Sequence, residues 1–219
     1  MTEKPIIGYY GFWVRLTYLS AVSAAFGIYF AFNGSIQNAM IFLMISGICD
    51  TLDGRVASLK KRDDRELSYG IQIDALADLV SFGVFPAIIG YVVWSSAGSL
   101  GLLYTSVAAL YILTALIRLA YFNVIEAELH SKNEKRLYYE GLPVTSVSLL
   151  IPVVFSVCHI FDIPFSSIYS VLLIIISALF ILRIKIPKPR GRAQIALCLC
   201  GIPTIIYLIL ADFAVVFWC

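Results

Sequence analysis

The chain is a succession of apolar runs, each about 20 residues long, separated by short polar breaks. A helix of that length crosses the ~30 Å hydrocarbon core of a bilayer. Inside lipid, a chain has to satisfy its backbone polar groups internally, which favours helices. The sequence therefore predicts an all-α, polytopic membrane helical bundle with six core transmembrane helices plus one or two extra, and a short interfacial N-terminal segment at 5–10. The predicted apolar segments are 13–32, 36–59, 69–94, 100–124, 144–161, 166–182 and 193–217.

The composition agrees with this class of protein. Hydrophobic residues make up 60% of the chain and charged residues 14%, whereas a soluble domain is roughly half apolar and about a quarter charged. The net charge of +2 is too small to indicate a nucleic-acid partner. The five cysteines are odd in number, lack C-x-x-C spacing and fall in apolar segments. They are therefore interpreted as buried free thiols rather than as a disulfide framework or a zinc site.

Four aspartates lie inside the otherwise apolar segments: Asp50, Asp53, Asp74 and Asp78. Carboxylates in a lipid-embedded chain are costly unless a positive charge compensates them, so they indicate a functional site. Spacings of three residues in the first pair and four in the second put each pair on one helix face. The short charged loop 60–66 would bring the two pairs together. Oxygen ligands that face one another across such a hairpin favour a site for hard divalent cations.

The distribution of Lys and Arg predicts how this site is oriented. The loops after the second, fourth and sixth segments are rich in Lys and Arg, whereas the loops after the first, third and fifth contain none. The positive-inside rule then puts the N-terminus and the basic loops in the cytoplasm. Asp50 lies ten residues before Lys60, which is about 15 Å of helix. We therefore expect the acidic site within the cytoplasmic leaflet of the cell membrane, reachable from water and from lipid.

Two spaced motifs carry a resemblance to a known family. The arrangement Asp50-x-x-Asp53-Gly54-x-x-Ala57, followed by a second stripe of Gly70, Asp74 and Asp78 at intervals of four, resembles the motif of the CDP-alcohol phosphotransferases. These are integral membrane enzymes that displace CMP from a CDP-linked lipid with an alcohol. Four shorter stretches, within about 17–146, resemble the CDP-diacylglycerol–serine O-phosphatidyltransferase (phosphatidylserine synthase) branch of that family. They are DGRVA at 53–57, SFGVFP at 81–86, RLAYFNV at 118–124 and GLPVTS at 141–146.

The resemblance implies a two-metal in-line displacement within a single domain, 1–219, whose motif region is 49–86. Asp50 and Asp74 would each bind both of two Mg²⁺ or Mn²⁺ ions, Asp53 would bind one ion and Asp78 the other. Asp78 would also accept the proton of the attacking hydroxyl, because an alcohol is a weak nucleophile at neutral pH. The substrate diphosphate is doubly anionic, so a site with four carboxylates needs cations to form at all.

The resemblance also implies where the nucleotide-lipid binds. The expected contacts are Gly54, Ala57, Ser58, Thr17 and Gly70. Two departures from the family pattern concern this part of the site. Ser58 stands where the family usually has an arginine thought to touch the phosphates, and the gap from Ser58 to Gly70 is a few residues longer than usual. Nearby candidates for the missing charge are Arg55, Lys60 and Lys61.

The acceptor side of the site contains one deep basic residue, Arg118. A guanidinium can hold a carboxylate with two parallel hydrogen bonds, so Arg118, together with Asn123, is predicted to orient L-serine. A structural ion pair and diphosphate binding are the alternatives for Arg118. The resemblance further implies a homodimer.

Two other functions remain open from the residues. The first keeps the chemistry and exchanges serine for inositol or glycerol 3-phosphate. The second is a divalent-cation transporter, against which stands the position of all four carboxylates near one leaflet, since transport sites lie near the bilayer midplane.

Overall fold

The computed structural model describes residues 7–95, 101–131, 138–187 and 199–211. Two short antiparallel strands, β1 (Tyr138–Glu140) and β2 (Lys185–Pro187), join two of its loops. Everything else that is regular is helical, and the predicted all-α bundle is confirmed. The helices are α1 (Arg15–Phe32), α2 (Ile36–Ala57), α3 (Asp64–Asp78), α4 (Phe85–Ser95), α5 (Gly101–Ser131), α6 (Val147–Ile160), α7 (Phe165–Ile181) and α8 (Leu199–Ala211).

Three helical stretches are long and apolar enough to cross a membrane: Phe12–Phe32, Asp64–Ser95 and Gly101–Leu129. Shorter apolar helices accompany them, and α2 has 22 residues but carries two of the aspartates. The outward-facing side chains are largely apolar, as expected for a protein in contact with lipid. The chain is thus an integral membrane protein.

The helix boundaries differ most from the predicted segments at two places. Helix α3 begins at Asp64 rather than at residue 69, and α5 extends to Ser131 rather than to residue 124. Both extensions are polar, and a search for apolar runs omits them. The seventh predicted segment is described only over 199–211. The basic residues at 132–137 and 188–192 lie outside the described residues.

A π-helical turn, Leu79–Val84, joins α3 and α4 into one continuous helix directly after Asp78. Pro86 follows the turn and has no N–H, so it offers no intrahelical donor to the carbonyl of Phe82. The hydroxyl of Tyr111 on α5 donates to that carbonyl at 2.6 Å. Tyr169 on α7 donates to the carbonyl of Pro86 at 2.8 Å. Buried tyrosines on neighbouring helices therefore support the helix that carries Asp74 and Asp78.

Small residues let α2 pack closely against its neighbours. A Cβ on Gly47 would collide with the side chain of Ser148 on α6. Ser46 donates to the carbonyl of Ser20 at 2.8 Å, and Ser20 donates back to the carbonyl of Ser46 at 3.2 Å. Close contacts of small residues and interhelical hydrogen bonds are how helices associate in lipid. They hold α1, α2 and α6 around the end of α2 that carries Asp50 and Asp53.

Candidate active site

The four aspartates converge between α2 and α3. Oxygens of Asp50, Asp74 and Asp78 all lie within 4.8 Å of one another. The fourth aspartate, Asp53, contacts the side chain of Asp74 and accepts a 3.0 Å hydrogen bond from Oγ1 of Thr17 on α1. The helical spacing predicted that the two pairs would meet, and the structure brings them together.

The connection between α2 and α3 explains this convergence. Helix α2 ends at Ala57, and α3 begins after Asp63, whose carboxylate accepts from the backbone N–H of Glu66 at 2.6 Å. An N-cap Asp followed three residues later by Glu is a strong helix-start signal. Lys60 forms an ion pair with Glu66 at 2.6 Å across the same turn. The charged loop therefore forms a tight, capped turn that reverses the chain direction.

The donor set fits hard divalent cations. It consists of carboxylate oxygens, and Asp78 is only 8% exposed. Within the described ranges, none of the four carboxylates forms an ion pair with Lys or Arg. Uncompensated charges are costly away from water, so this cluster requires positive charge from elsewhere. Mg²⁺ and Mn²⁺ bind oxygen ligands of this kind.

Thr145 joins the cluster from a distant part of the sequence. Its side chain lies beside the Asp50 carboxylate. It lies in the 3₁₀ turn Val144–Ser146, and the hydroxyl of Ser148 donates to its carbonyl at 2.7 Å. Thr145 falls in the GLPVTS stretch at 141–146, and no role was predicted for it. The resemblance of that stretch was the available signal, because nothing in local spacing connects residue 145 with residue 50.

Arg118 holds the segment that leads to Thr145. Arg118 is 5% exposed. Its Nη1 donates to the carbonyls of Glu140 at 2.8 Å and Phe180 at 3.1 Å, and Nη2 donates to the carbonyl of Gly141 at 3.3 Å. The guanidinium also lies over the ring of Phe122 at 4.4 Å. Arg118 thus links α5 to α7 and to the 140–141 backbone, and its binding of serine stays a prediction. Asn123, one to two turns further along α5, is half-buried.

Of the expected nucleotide-lipid contacts, Gly54 and Ser58 are exposed, whereas Ala57 is buried. Thr17 is bonded to Asp53, as described above. A Cβ on Gly54 would meet nothing within 4 Å, so space is open beside it. Ala57 packs with Trp13 and Val14 in a small cluster at the start of α1. The exposed Ser58 donates its hydroxyl to the carbonyl of Arg55 at 2.6 Å. These positions leave an accessible edge beside the carboxylates.

The basic residues of the turn between α2 and α3 lie near these positions. Of the three candidates for the missing charge, Arg55 and Lys61 are exposed and Lys60 is paired with Glu66. Arg62 is half-buried instead, with its Cζ 5.5 Å from the centre of the Trp13 ring. Sequence spacing did not single out Arg62.

These features define a helical integral membrane protein with an oxygen-donor site shared by two neighbouring helices. The family model for CDP-alcohol phosphatidyltransferase matches residues 15–182 of the chain. The match covers most of the sequence and includes the four aspartates together with Thr17, Arg118 and Thr145. The chain belongs to the CDP-alcohol phosphatidyltransferase family.

Several characterised proteins are similar to this chain. It is 39% identical to CDP-diacylglycerol–serine O-phosphatidyltransferase of Saccharomyces cerevisiae over 136 residues, 59% of this chain and 47% of the yeast protein. It is 31% identical to archaetidylserine synthase of Methanothermobacter thermautotrophicus over 151 residues, 69% of this chain and 60% of that protein. It is 34% identical to CDP-diacylglycerol–serine O-phosphatidyltransferase of Helicobacter pylori over 126 residues, 57% of this chain and 48% of that protein. The chain spans about half the length of the curated relatives it matches.

Proposed function

We propose that this protein transfers the phosphatidyl group of CDP-diacylglycerol to the hydroxyl of L-serine, releasing CMP and forming phosphatidylserine. The observation that carries the proposal is the convergence of Asp50, Asp74 and Asp78 between two membrane helices, in a chain of this family. The names of its relatives support serine as the acceptor. The yeast and archaeal proteins are named for different lipids but for the same head group.

The four carboxylates would hold two divalent cations, Mg²⁺ or Mn²⁺, that position the diphosphate of the substrate. Following the family resemblance, Asp50 and Asp74 would contribute to both ions, Asp53 to one and Asp78 to the other. When bound, the two ions neutralise the diphosphate and stabilise the attacking and leaving oxygens of an in-line displacement. The hydroxyl of Thr17 orients Asp53 by its hydrogen bond, and the contact of Thr145 with Asp50 restrains the opposite side of the cluster.

Asp78 is the proposed general base. It is the most buried of the four aspartates and lies beside Asp50, with the π-helical turn immediately after it. The proton of the serine hydroxyl moves to an Asp78 oxygen as the serine oxygen forms a bond to the phosphorus that carries diacylglycerol. The bond from that phosphorus to the bridging oxygen breaks, and CMP departs with the electron pair. Proton transfer by a positioned side chain contributes about 10²–10⁴-fold to such steps.

The substrates approach from different surroundings. We assign the site to the cytoplasmic leaflet, because the turn between α2 and α3 carries Lys60, Lys61, Arg62 and Arg65 and such loops stay in the cytoplasm. The cytidine nucleotide lies along the rim formed by Gly54, and serine enters from water.

Labelling of a cysteine placed at the exposed Lys61 by a membrane-impermeant maleimide tests the assignment of the site to the cytoplasmic leaflet. Reaction only in inside-out vesicles supports it, and reaction in intact cells contradicts it.

A homodimer is proposed from the family resemblance alone. Mass measurement of the purified protein in nanodiscs, with two copies expected per particle, tests it directly. A particle that contains one active copy would contradict it.

The function is tested by CMP release from CDP-diacylglycerol with a panel of alcohols: L-serine, inositol and glycerol 3-phosphate. We expect release with serine, loss of release in EDTA and recovery with Mg²⁺ or Mn²⁺. Asp78→Asn should lower the turnover rate by about 10³-fold. Asp162→Asn is the matched control, because it makes the same chemical change in the exposed turn before α7. CMP release with inositol or glycerol 3-phosphate but not with serine would show that the acceptor is a different alcohol. Absence of CMP release with every alcohol would refute the proposed enzymatic activity.

A further inference from the structure

Arg62 lies at the rim of the acidic site, held between α1 and α3. Its guanidinium faces the Trp13 ring, with Cζ 5.5 Å from the ring centre. A Cβ placed on Gly70 would lie 3.0 Å from Nη1 of Arg62 and 3.4 Å from the Trp13 ring. Gly70 precedes Asp74 by four residues, about one helical turn. The guanidinium is therefore packed against α3 about one turn from the carboxylates.

The donors of Arg62 are not engaged by other groups that the structure describes. Within residues 7–95, 101–131, 138–187 and 199–211, Arg62 forms no hydrogen bond and no ion pair. Lys60 in the same turn donates to Glu66 at 2.6 Å, and Lys61 and Arg65 are exposed. Arg62 is half-buried, so its side chain is restrained while its N–H groups stay available. A cation on an indole face is held by the ring quadrupole.

Trp13 connects this position to the metal-binding face. It is 2% exposed and packs with Ala57 at the end of α2. One turn further along α1, Thr17 donates to Asp53. Trp13 lies in the 3₁₀ turn Phe12–Val14 that leads into α1, four residues before Thr17, so Arg62 and the carboxylate cluster lie along one continuous edge.

We propose that Arg62 binds the diphosphate of the nucleotide-lipid, and that Trp13 and Gly70 hold it in position to do so. This inference rests on the proposed function. A planar guanidinium forms paired hydrogen bonds with phosphate oxygens, which an ammonium does not reproduce. The substrate brings two negative charges to a rim otherwise dominated by carboxylates, so a fixed cation at this edge stabilises the bound state.

The position of Arg62 accounts for both departures from the family pattern, the serine at position 58 and the longer stretch that follows it. Ser58 supplies no positive charge where an arginine is usual, and the stretch from Ser58 to Gly70 is longer than usual. The added length lets the chain turn back so that Arg62 reaches Trp13, beside Ala57. A Cβ at Gly70 would lie 3.0 Å from Nη1 of Arg62, so a larger residue there would shift the guanidinium.

The test is equilibrium binding of CDP-diacylglycerol to the purified full-length protein in nanodiscs, with Mg²⁺ present and serine absent so that no turnover occurs. We expect Arg62→Ala to weaken binding about tenfold or more, since it removes charge-assisted hydrogen bonds. Arg62→Lys should recover part of the loss. The matched control is Lys61→Ala, which removes one charge from the same turn at an exposed position and should change the affinity about twofold or less. In steady-state assays, the KM for CDP-diacylglycerol should rise in Arg62→Ala while the KM for serine stays unchanged.

A rescue variant adds a second, independent readout. Ser58 follows Ala57, which packs on Trp13, so a guanidinium introduced by Ser58→Arg would begin close to Trp13, as that of Arg62 does. The double variant Arg62→Ala/Ser58→Arg should recover most of the lost affinity. Equal affinities of Arg62→Ala and Lys61→Ala would overturn the inference and leave the proposed function standing. Failure of the unaltered protein both to bind CDP-diacylglycerol and to release CMP would overturn both together.

Discussion

The backbone at Gly141 offers a sharp test of how the Thr145 segment is positioned. Gly141 has a φ of +74°, and its N–H donates to the carbonyl of Ile184 at 2.7 Å. A methyl group there would lie 2.7 Å from the Leu182 carbonyl oxygen and 2.8 Å from Nη1 of Arg118. Gly34, in the turn between α1 and α2, has nearly the same φ of +79° but open space around its Cβ. The pair Gly141→Ala and Gly34→Ala therefore separates backbone strain from packing.

The two substitutions should differ in the free energy of unfolding. A non-glycine residue in the left-handed region costs about 1–2 kcal/mol, and both variants incur this cost. Gly141→Ala also forces the Leu182 carbonyl and the Arg118 guanidinium to move, and overpacking of this kind costs about 1–3 kcal/mol more. We therefore expect a destabilisation of about 2–5 kcal/mol for Gly141→Ala and about 1–2 kcal/mol for Gly34→Ala.

Reversible unfolding in mixed micelles, followed by far-UV circular dichroism during an SDS titration, measures this difference. In CMP-release assays at a temperature where both variants are folded, Gly141→Ala should lose about 10–100-fold in turnover, because small displacements of positioning groups are costly. Gly34→Ala should keep the original rate. Equal unfolding free energies would refute the packing argument. A destabilised Gly141→Ala variant with full activity would refute the link from this segment to Thr145 and Asp50.

Two further substitutions test single polar contacts. Thr145→Val keeps the side-chain shape but removes the hydroxyl that contacts Asp50. The turnover rate should therefore fall about tenfold, whereas Thr145→Ser should retain activity. Full activity of the valine variant would show that the contact is dispensable. Tyr111→Phe leaves the buried carbonyl of Phe82 without its donor and should cost about 1–3 kcal/mol of unfolding free energy. Tyr10→Phe, which removes an exposed hydroxyl bonded to a nearby carbonyl, should cost much less, and equal costs would contradict the structural role of Tyr111.

The acidic pairs illustrate what the amino-acid sequence alone can predict about the site. The helix repeat converts spacings of three and four directly into a shared face, so the grouping of Asp50 with Asp53 and of Asp74 with Asp78 required only local geometry. The start of α3 was also encoded locally. Asp63 and Glu66 form an N-cap pattern, but a search for apolar runs begins too late to include it.

The surroundings of the cluster depended on contacts between residues far apart in the chain. Thr145 meets Asp50 because Arg118 and the backbone of Gly141 fasten their segment to α5 and to the residues just after α7. Arg62 and Lys61 are adjacent basic residues, and only Arg62 is half-buried, because it packs on Trp13. No pattern along the chain distinguishes these cases.

Hydropathy and helical period are properties of neighbouring residues, so the membrane bundle, the reversal between α2 and α3 and the meeting of the four carboxylates could be foreseen. The partners of Arg118, the approach of Thr145 and the burial of Arg62 arise from side chains on separate helices that compete for the same space. Their outcome is a property of the packed molecule, because each contact exists only once several helices are in place together.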